Sequence, residues 1–213
     1  MDVDFGKLTR RDFLKVAAGI SAFFATRGIW EIAGWAEDYA YPLVSRSGVI
    51  ATFEGPIGSG KTLAAVAFAY AMWEKEKRPV YSNIRLDFPY KELDIDQFDS
   101  ITDSTILLDN AFLYLDNRRS QTNQNKLWSY MLSQNRKRGN MVFLATPKLD
   151  FLDKRTRCMV DERVRCRMDG DTLKLLAMDL KSGNRQKVAI EGKSFYPLYD
   201  TCELARLKGG KAV

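Results

Sequence analysis

A chain of 213 residues, 46% of them hydrophobic, has room for one α/β domain with an appendage and too little for two full domains. Its formal charge of +6 points to an anionic partner, nucleic acid or a membrane surface, or else to a plain solvated lysine face. Histidine is absent, and Cys158, Cys166 and Cys202 show no C-x-x-C spacing. That removes the usual zinc ligands and the commonest general base, and reduced thiols in the cytosol become the default.

Residues 1–47 stand apart as an N-terminal helical extension and linker. Thr9-Arg10-Arg11-Asp12-Phe13-Leu14-Lys15 looks like a twin-arginine export signal, and Val16 to Ala25 is a small, apolar run like the h-region of a targeting peptide. As a helix that run covers about 15 Å, half of a roughly 30 Å hydrocarbon core. Extending it toward Trp35 brings in Arg27 and Glu31, so it does not span a bilayer alone. Three readings stay open: a cytosolic helix docked on the core or on a neighbour, peripheral membrane contact through residues 10–35, and export. Asp38 to Ser47 reads as the linker into the first strand.

Next come the apolar run Val49 to Phe53 and then Gly55-Pro56-Ile57-Gly58-Ser59-Gly60-Lys61-Thr62, which fits G-x-x-x-x-G-K-[ST] at every fixed position. A triphosphate is wrapped by successive inward-facing backbone N–H groups, and glycine permits that approach. Lys61 then opens a helix, where its ammonium reaches the β and γ phosphates beside the positive helix end. Thr62 offers its hydroxyl to Mg²⁺. Triphosphates are scarce outside the cell, so this loop argues for a cytoplasmic address, with the inner leaflet as an alternative, and against export.

The helix predicted from Lys61 to about Lys77 is apolar on nearly all sides and is expected to be buried, with a basic last turn and Pro79 as its stop. Pro79 to Ile84 predicts a short strand, closed by Asp87-Phe88-Pro89. Residues 90–103 are polar and acidic without a clear period. Ser104 to Asp109 predicts a buried parallel strand ending in a carboxylate that lies in the ligand crevice and holds Mg²⁺. After a polar stretch comes a helix with Leu127, Tyr130, Met131 and Leu132 predicted inside, then Arg136-Lys137-Arg138 and Gly139 as its end. Met141 to Thr146 predicts another buried strand, whose Thr146 is placed to touch the γ-phosphate or an attacking water.

That order of strands is expected of the P-loop branch in which an extra strand separates the two nucleotide-binding strands. Beyond Pro147, Asp153-Lys154-Arg155-Thr156-Arg157 clusters cations. Val160 to Met168, Thr172 to Leu180 and Gln186 to Glu191 then predict a β-meander attached to the end of the core. Arg163, Arg165 and Arg167 recur at period two and share a face, which either follows a phosphate backbone or is simply an exposed strand face. The tail from 204 to 213 is expected to fray.

Residues 48 to 203 resemble the small viral and plasmid P-loop ATPases of the FtsK/HerA type, including relatives of the zonula occludens toxin N-terminal domain. The resemblance rests on the phosphate loop, Val80 to Ile84, and the strand ending in Asp109 with Leu115-Asp116 and Arg118-Arg119-Ser120 after it. Gln134 to Gly139, Asp153 to Arg157 and Tyr199-Asp200-Thr201 complete it. It implies a RecA-like, mostly parallel sheet flanked by helices, with ATP and Mg²⁺ as ligands, double-stranded DNA as partner, and a homo-oligomeric ring such as a hexamer. Lys61, Thr62 and Asp109 would then serve phosphate and metal, Thr146 would sense the γ-phosphate, and Arg155 or Arg157 would reach a neighbouring subunit's site.

Two positions depart from that pattern. Asn110 stands where such ATPases place a glutamate, and an amide orients water without accepting its proton unless Asp116 or a neighbour substitutes. Thr146-Pro147 stands where a glutamine is usual. The readings that follow are a DNA-packaging or translocating motor, a membrane-associated assembly or secretion ATPase, and a nucleotide-binding module with little turnover.

Overall fold

The computed structural model describes residues 48–94, 98, 100–116 and 123–200. The readings of residues 1–47, of 117–122 and of the tail lie outside them. In chain order the elements are β1 (Ile50–Glu54), α1 (Lys61–Glu76), β2 (Val80–Ser82), β3 (Lys91–Glu92), β4 (Thr105–Leu108) and a 3₁₀ turn (Ala111–Leu113). Then come α2 (Asn123–Ser133), α3 (Asn135–Arg138), β5 (Met141–Thr146), a 3₁₀ turn (Leu149–Phe151) and α4 (Lys154–Met159). Strands β6 (Glu162–Asp169), β7 (Thr172–Asp179) and β8 (Arg185–Glu191) and a 3₁₀ segment (Gly192–Leu198) complete the order.

All eight strands join one sheet in the order β3-β2-β4-β5-β1-β6-β7-β8. The pairs from β3 to β6 are parallel, and β6-β7 and β7-β8 are antiparallel. Strand β5 therefore separates β1 from β4, the arrangement expected from the order of the strands. The meander is attached at the end of the parallel core, as expected, and it shares the same sheet. Strand β6 pairs in parallel with β1 itself, so the hairpins continue the sheet from the strand that feeds the phosphate loop.

One face of the sheet carries α1. Its alanine-rich centre favours helix and lets the backbone settle close to the strands, where Phe53, Phe68 and Phe143 meet edge to face at 5.3–6.2 Å. The helix is buried on nearly all sides because the Gly192–Leu198 segment crosses it and adds Phe195 and Leu198 to the same core. That strap is anchored where the Asp87 N–H donates to the Leu198 carbonyl (2.9 Å) and Leu86 bridges Tyr199. The helix ends at Lys77, which adopts φ 51°, just before Pro79.

The other face of β4, β5 and β1 is covered by α2, through Trp128, Met131 and Leu132. Tyr130, expected inside, is 57% exposed. The inward stripe follows Trp128, Met131 and Leu132 at i, i+3 and i+4, which turns Tyr130 outward. Residues 90–103 supply the two-residue edge strand β3 and the buried Leu93, Phe98 and Ile101, with Phe98 packed on Trp128 at 4.9 Å.

Candidate functional site

Strand β1 delivers the chain into the loop Gly55–Thr62 beside the carboxyl ends of β4 and β5. The loop closes on itself, with the Ser59 N–H and the Lys61 ammonium both donating to the Pro56 carbonyl, at 3.2 and 2.8 Å. The Gly55 N–H donates to Pro147 at 3.2 Å, which ties the loop to the end of β5. Gly60 has φ 82°, and a Cβ there would stand 2.7 Å from Leu173 Cδ1 and 3.0 Å from Met168 Sδ. The positive φ favours glycine, and a larger residue would also have to push aside the ends of the Met168 and Leu173 side chains on β6 and β7. Gly58 and Ile57 form the tip, where Ile57 is 97% exposed.

Under the loop, the Thr62 hydroxyl donates to Asp109 Oδ1 at 2.7 Å, joining the two positions chosen from the sequence as metal ligands. Asp109 is buried, and desolvation raises its pKa against the opposing effects of the Thr62 hydroxyl, the Asn110 N–H and the Lys61 charge. Burial lowers the Lys61 pKa, and the Asp109 charge opposes this. Lys61, Thr62 and Asp109 thus act as one electrostatic unit.

Asn83, at the end of β2, holds that unit in place and was missed in the sequence. Its amide nitrogen donates to the Asp109 carbonyl (2.9 Å) and its oxygen accepts from the Asp109 N–H (2.7 Å), clamping the backbone of the carboxylate residue from both sides. A lone asparagine at a strand end gives no local signal of a partner 26 residues away. Tyr199, on the strap, lies near enough to feel the Asp109 charge; burial first, and then that charge, pushes its phenol up to about 12.

The remaining candidates are spread out. Asn110 follows Asp109 in the left-handed region, φ 51°, which asparagine tolerates better than glutamate. Asp116 bridges Leu152 and sits with the Asp153–Arg157 segment. Thr146 is fully buried on the face away from α1, opposite Glu54 at the base of the loop, and its hydroxyl donates to the Lys148 carbonyl at 3.1 Å. Arg157 donates to Asp150 at 3.2 Å, while Arg155 is exposed and has no ion pair among the described residues.

The site fits a magnesium triphosphate by its own chemistry. The Ser59 hydroxyl is buried in the loop with no hydrogen-bond partner among the described residues. Among those residues no group of three His, Cys, Asp or Glu side chains converges on a common point. Such a donor set suits Mg²⁺, which takes one or two protein oxygens and completes its shell with phosphate and water, and it does not suit a cation that needs an all-protein cage.

No protein-family model matches the chain, and no curated sequence does. Solved structures do share its fold. The N-terminal domain of zonular occludens toxin from Neisseria meningitidis is 20% identical, with TM-score 0.55 over 72% of this chain and 100% of that one. The genome packaging NTPase B204 of Sulfolobus turreted icosahedral virus 2, solved with ATP-gammaS, is 12% identical, with TM-score 0.50 over 66% of this chain and 96% of that one. B204, the DNA-packaging ATPase from Sulfolobus turreted icosahedral virus, is 13% identical, with TM-score 0.50 over 67% and 97%. At these identities the likeness establishes the P-loop NTPase fold.

Proposed function

We propose that the chain is a P-loop ATPase that works as a DNA-packaging or DNA-translocating motor of a virus or mobile element, in the cytoplasm of the host cell. The observation that carries this is the Thr62–Asp109 hydrogen bond directly beneath a complete phosphate loop, with β5 between the two nucleotide-binding strands. The likeness in fold to a packaging NTPase supports the motor class.

The backbone of Gly55 to Lys61 and the Lys61 ammonium bind the phosphates. Thr62 and Asp109 would hold Mg²⁺, which supplies neutralisation of the developing phosphate charge. Asn110 orients the attacking water. Arg155 is better placed than Arg157 to reach a neighbouring subunit's site in a ring, of which a hexamer is one size, because Asp150 already engages Arg157. Thr146 supports the Pro147 turn that receives the Gly55 N–H and acts on the γ-phosphate only if it releases Lys148.

Asn110 also favours a second reading, a module that holds ATP with little hydrolysis, since no proton acceptor occupies that position. A membrane-associated assembly ATPase draws on residues 10–35, outside the described residues, and among the described residues no helix is long and apolar enough to cross a membrane.

Hydrolysis by the purified chain, with and without double-stranded DNA, separates these readings. Stimulation by DNA that disappears in Lys61→Ala supports the motor. Tight binding without turnover, with hydrolysis gained in Asn110→Glu, supports the static module. Recovery of the chain only with membranes, lost on deleting residues 1–35, supports the third reading.

A further inference from the structure

Among the described residues, helices cover both faces of the sheet only as far as β1. Beyond it, the side chains of β6, β7 and β8 alternate, one set buried against the α1 core and the other pointing outward, and that outer set carries six cations against two carboxylates, Asp169 and Glu191. Register places them in four rows across the strands: Arg163, Met178 and Arg185; then Arg165, Leu176 and Lys187; then Arg167, Lys174 and Ala189; and at the turn end Asp169, Thr172 and Glu191.

Arg163 drops out of the sequence-level stripe. Its guanidinium forms a two-pronged pair with Glu54, at 2.8 and 2.7 Å, and so belongs to the end of β1. Lys174 pairs with Asp169. Arg165, Arg167, Arg185 and Lys187 are exposed and carry no ion pair among the described residues. They form two columns on β6 and β8 that flank a lower, half-buried strip of Leu176 and Met178. A groove of about 580 Å³ runs between Arg165, Arg167, Lys174 and Lys187.

The geometry points to this face as the seat of a nucleic acid duplex, held by its phosphates; the inference rests on the DNA-handling role proposed above. Strands about 4.8 Å apart set the two columns roughly 10 Å from each other, with about 7 Å between successive cations along a strand. That separation is about 2 Å short of the roughly 12 Å major groove of B-form DNA, a gap that long arginine and lysine side chains can close to meet phosphates on both sides of it. The outward residues of the three strands include no aromatic ring, and unstacked single strands are held chiefly by stacking on such rings. Nor does the central strip rise above its flanks as an insertion into lipid requires. Four cations with no ion pair among the described residues, flanking one groove, find their charge complement in a regular anionic lattice, and contacts of this kind position without reading sequence.

The test is binding of the full-length chain to a labelled 30-base-pair duplex across a salt series, beside Arg165→Gln/Arg167→Gln and Arg185→Gln/Lys187→Gln. Each phosphate contact contributes about −0.9 to the slope of log affinity against log salt, so the wild-type slope is expected near −3 to −4. Each double variant should lose about two units of slope and roughly 10- to 100-fold in affinity at low salt. Melting and ATP binding should stay as in the wild type, since the altered side chains are exposed. Wild-type affinity and slope in both variants would overturn the surface and leave the DNA role standing. A wild-type chain that ignores duplex at every salt concentration would sink both. Tighter binding to phosphatidylserine vesicles or to a single strand than to duplex, lost in the same variants, would also overturn it.

Discussion

The two halves of the sheet are built on different rules. From β2 to β1 the strands are parallel, and β1, β4 and β5 are buried at every position; from β6 to β8 they are antiparallel beyond the first pairing and buried at alternate positions. The first half is enclosed by α1 on one side and α2 on the other, as a parallel sheet requires. It can therefore exclude water from a buried carboxylate. Among the described residues the second half keeps one face open, where exposed charge costs little. Chemistry and contact with a partner are thus divided between regions of one sheet, joined at Glu54, which precedes Gly55 of the loop and is gripped by Arg163 of the open half.

This division is sharpest in stability. Phe143→Ala, in the enclosed half, removes a ring packed on Phe53 and Phe68 and should cost about 3–5 kcal/mol in denaturant unfolding. Leu176→Ala, on the open face, should cost under about 1 kcal/mol. Equal losses at the two positions would mean that the outer face is covered.

At the boundary of the site the effect is intermediate. Asn83→Ala leaves the N–H and carbonyl of Asp109 unpaired in a buried setting, for about 1–3 kcal/mol, and should weaken Mg·ATP binding without touching the ligand. An unchanged melting curve together with unchanged nucleotide affinity would remove the clamp from the account.

The smallest effect concerns Cys166, on the inward side of β6. Burial pushes its thiol from 9.0 up to about 12. Because the folded value lies above the unfolded one, its contribution to stability is complete below pH 9 and is lost as the pH rises from 9 through 12. Cys166→Ala should flatten that decline, and in a Cys158→Ser/Cys202→Ser background the remaining thiol should resist alkylation at pH 8 until the chain unfolds. Ready alkylation of the folded chain would contradict its burial.

The same division explains what could be read before the structure. Continuous apolar runs announced β1, β4 and β5, alternation announced β6, turn residues such as Gly170 and Gly183 bounded β7 and β8, and the phosphate loop lay in one contiguous stretch. What stayed hidden depends on partners distant in the chain. Glu54 and Arg163 are 109 residues apart, so the period-two arginines looked equivalent until one was found paired. Asn83 looked like the polar end of a strand until Asp109 came beside it. Strand β3 is two charged residues whose strand character comes from β2 alone. Tyr130 turns outward while Trp128 is buried because the helix's inward face is set by where β4 and β5 stand, which the residues around them do not record.

A motor role, a ring and a translocated duplex all require the loop and Asp109 to hold a magnesium triphosphate together. Calorimetric titration of the folded, full-length chain with ATP in the presence and absence of Mg²⁺ tests this most directly. The expected result is one saturable site per chain that is weakened without Mg²⁺ and in Asp109→Asn and is lost in Lys61→Ala. A sample that melts cooperatively and takes up no Mg·ATP, or takes it up equally well in Lys61→Ala, would contradict it.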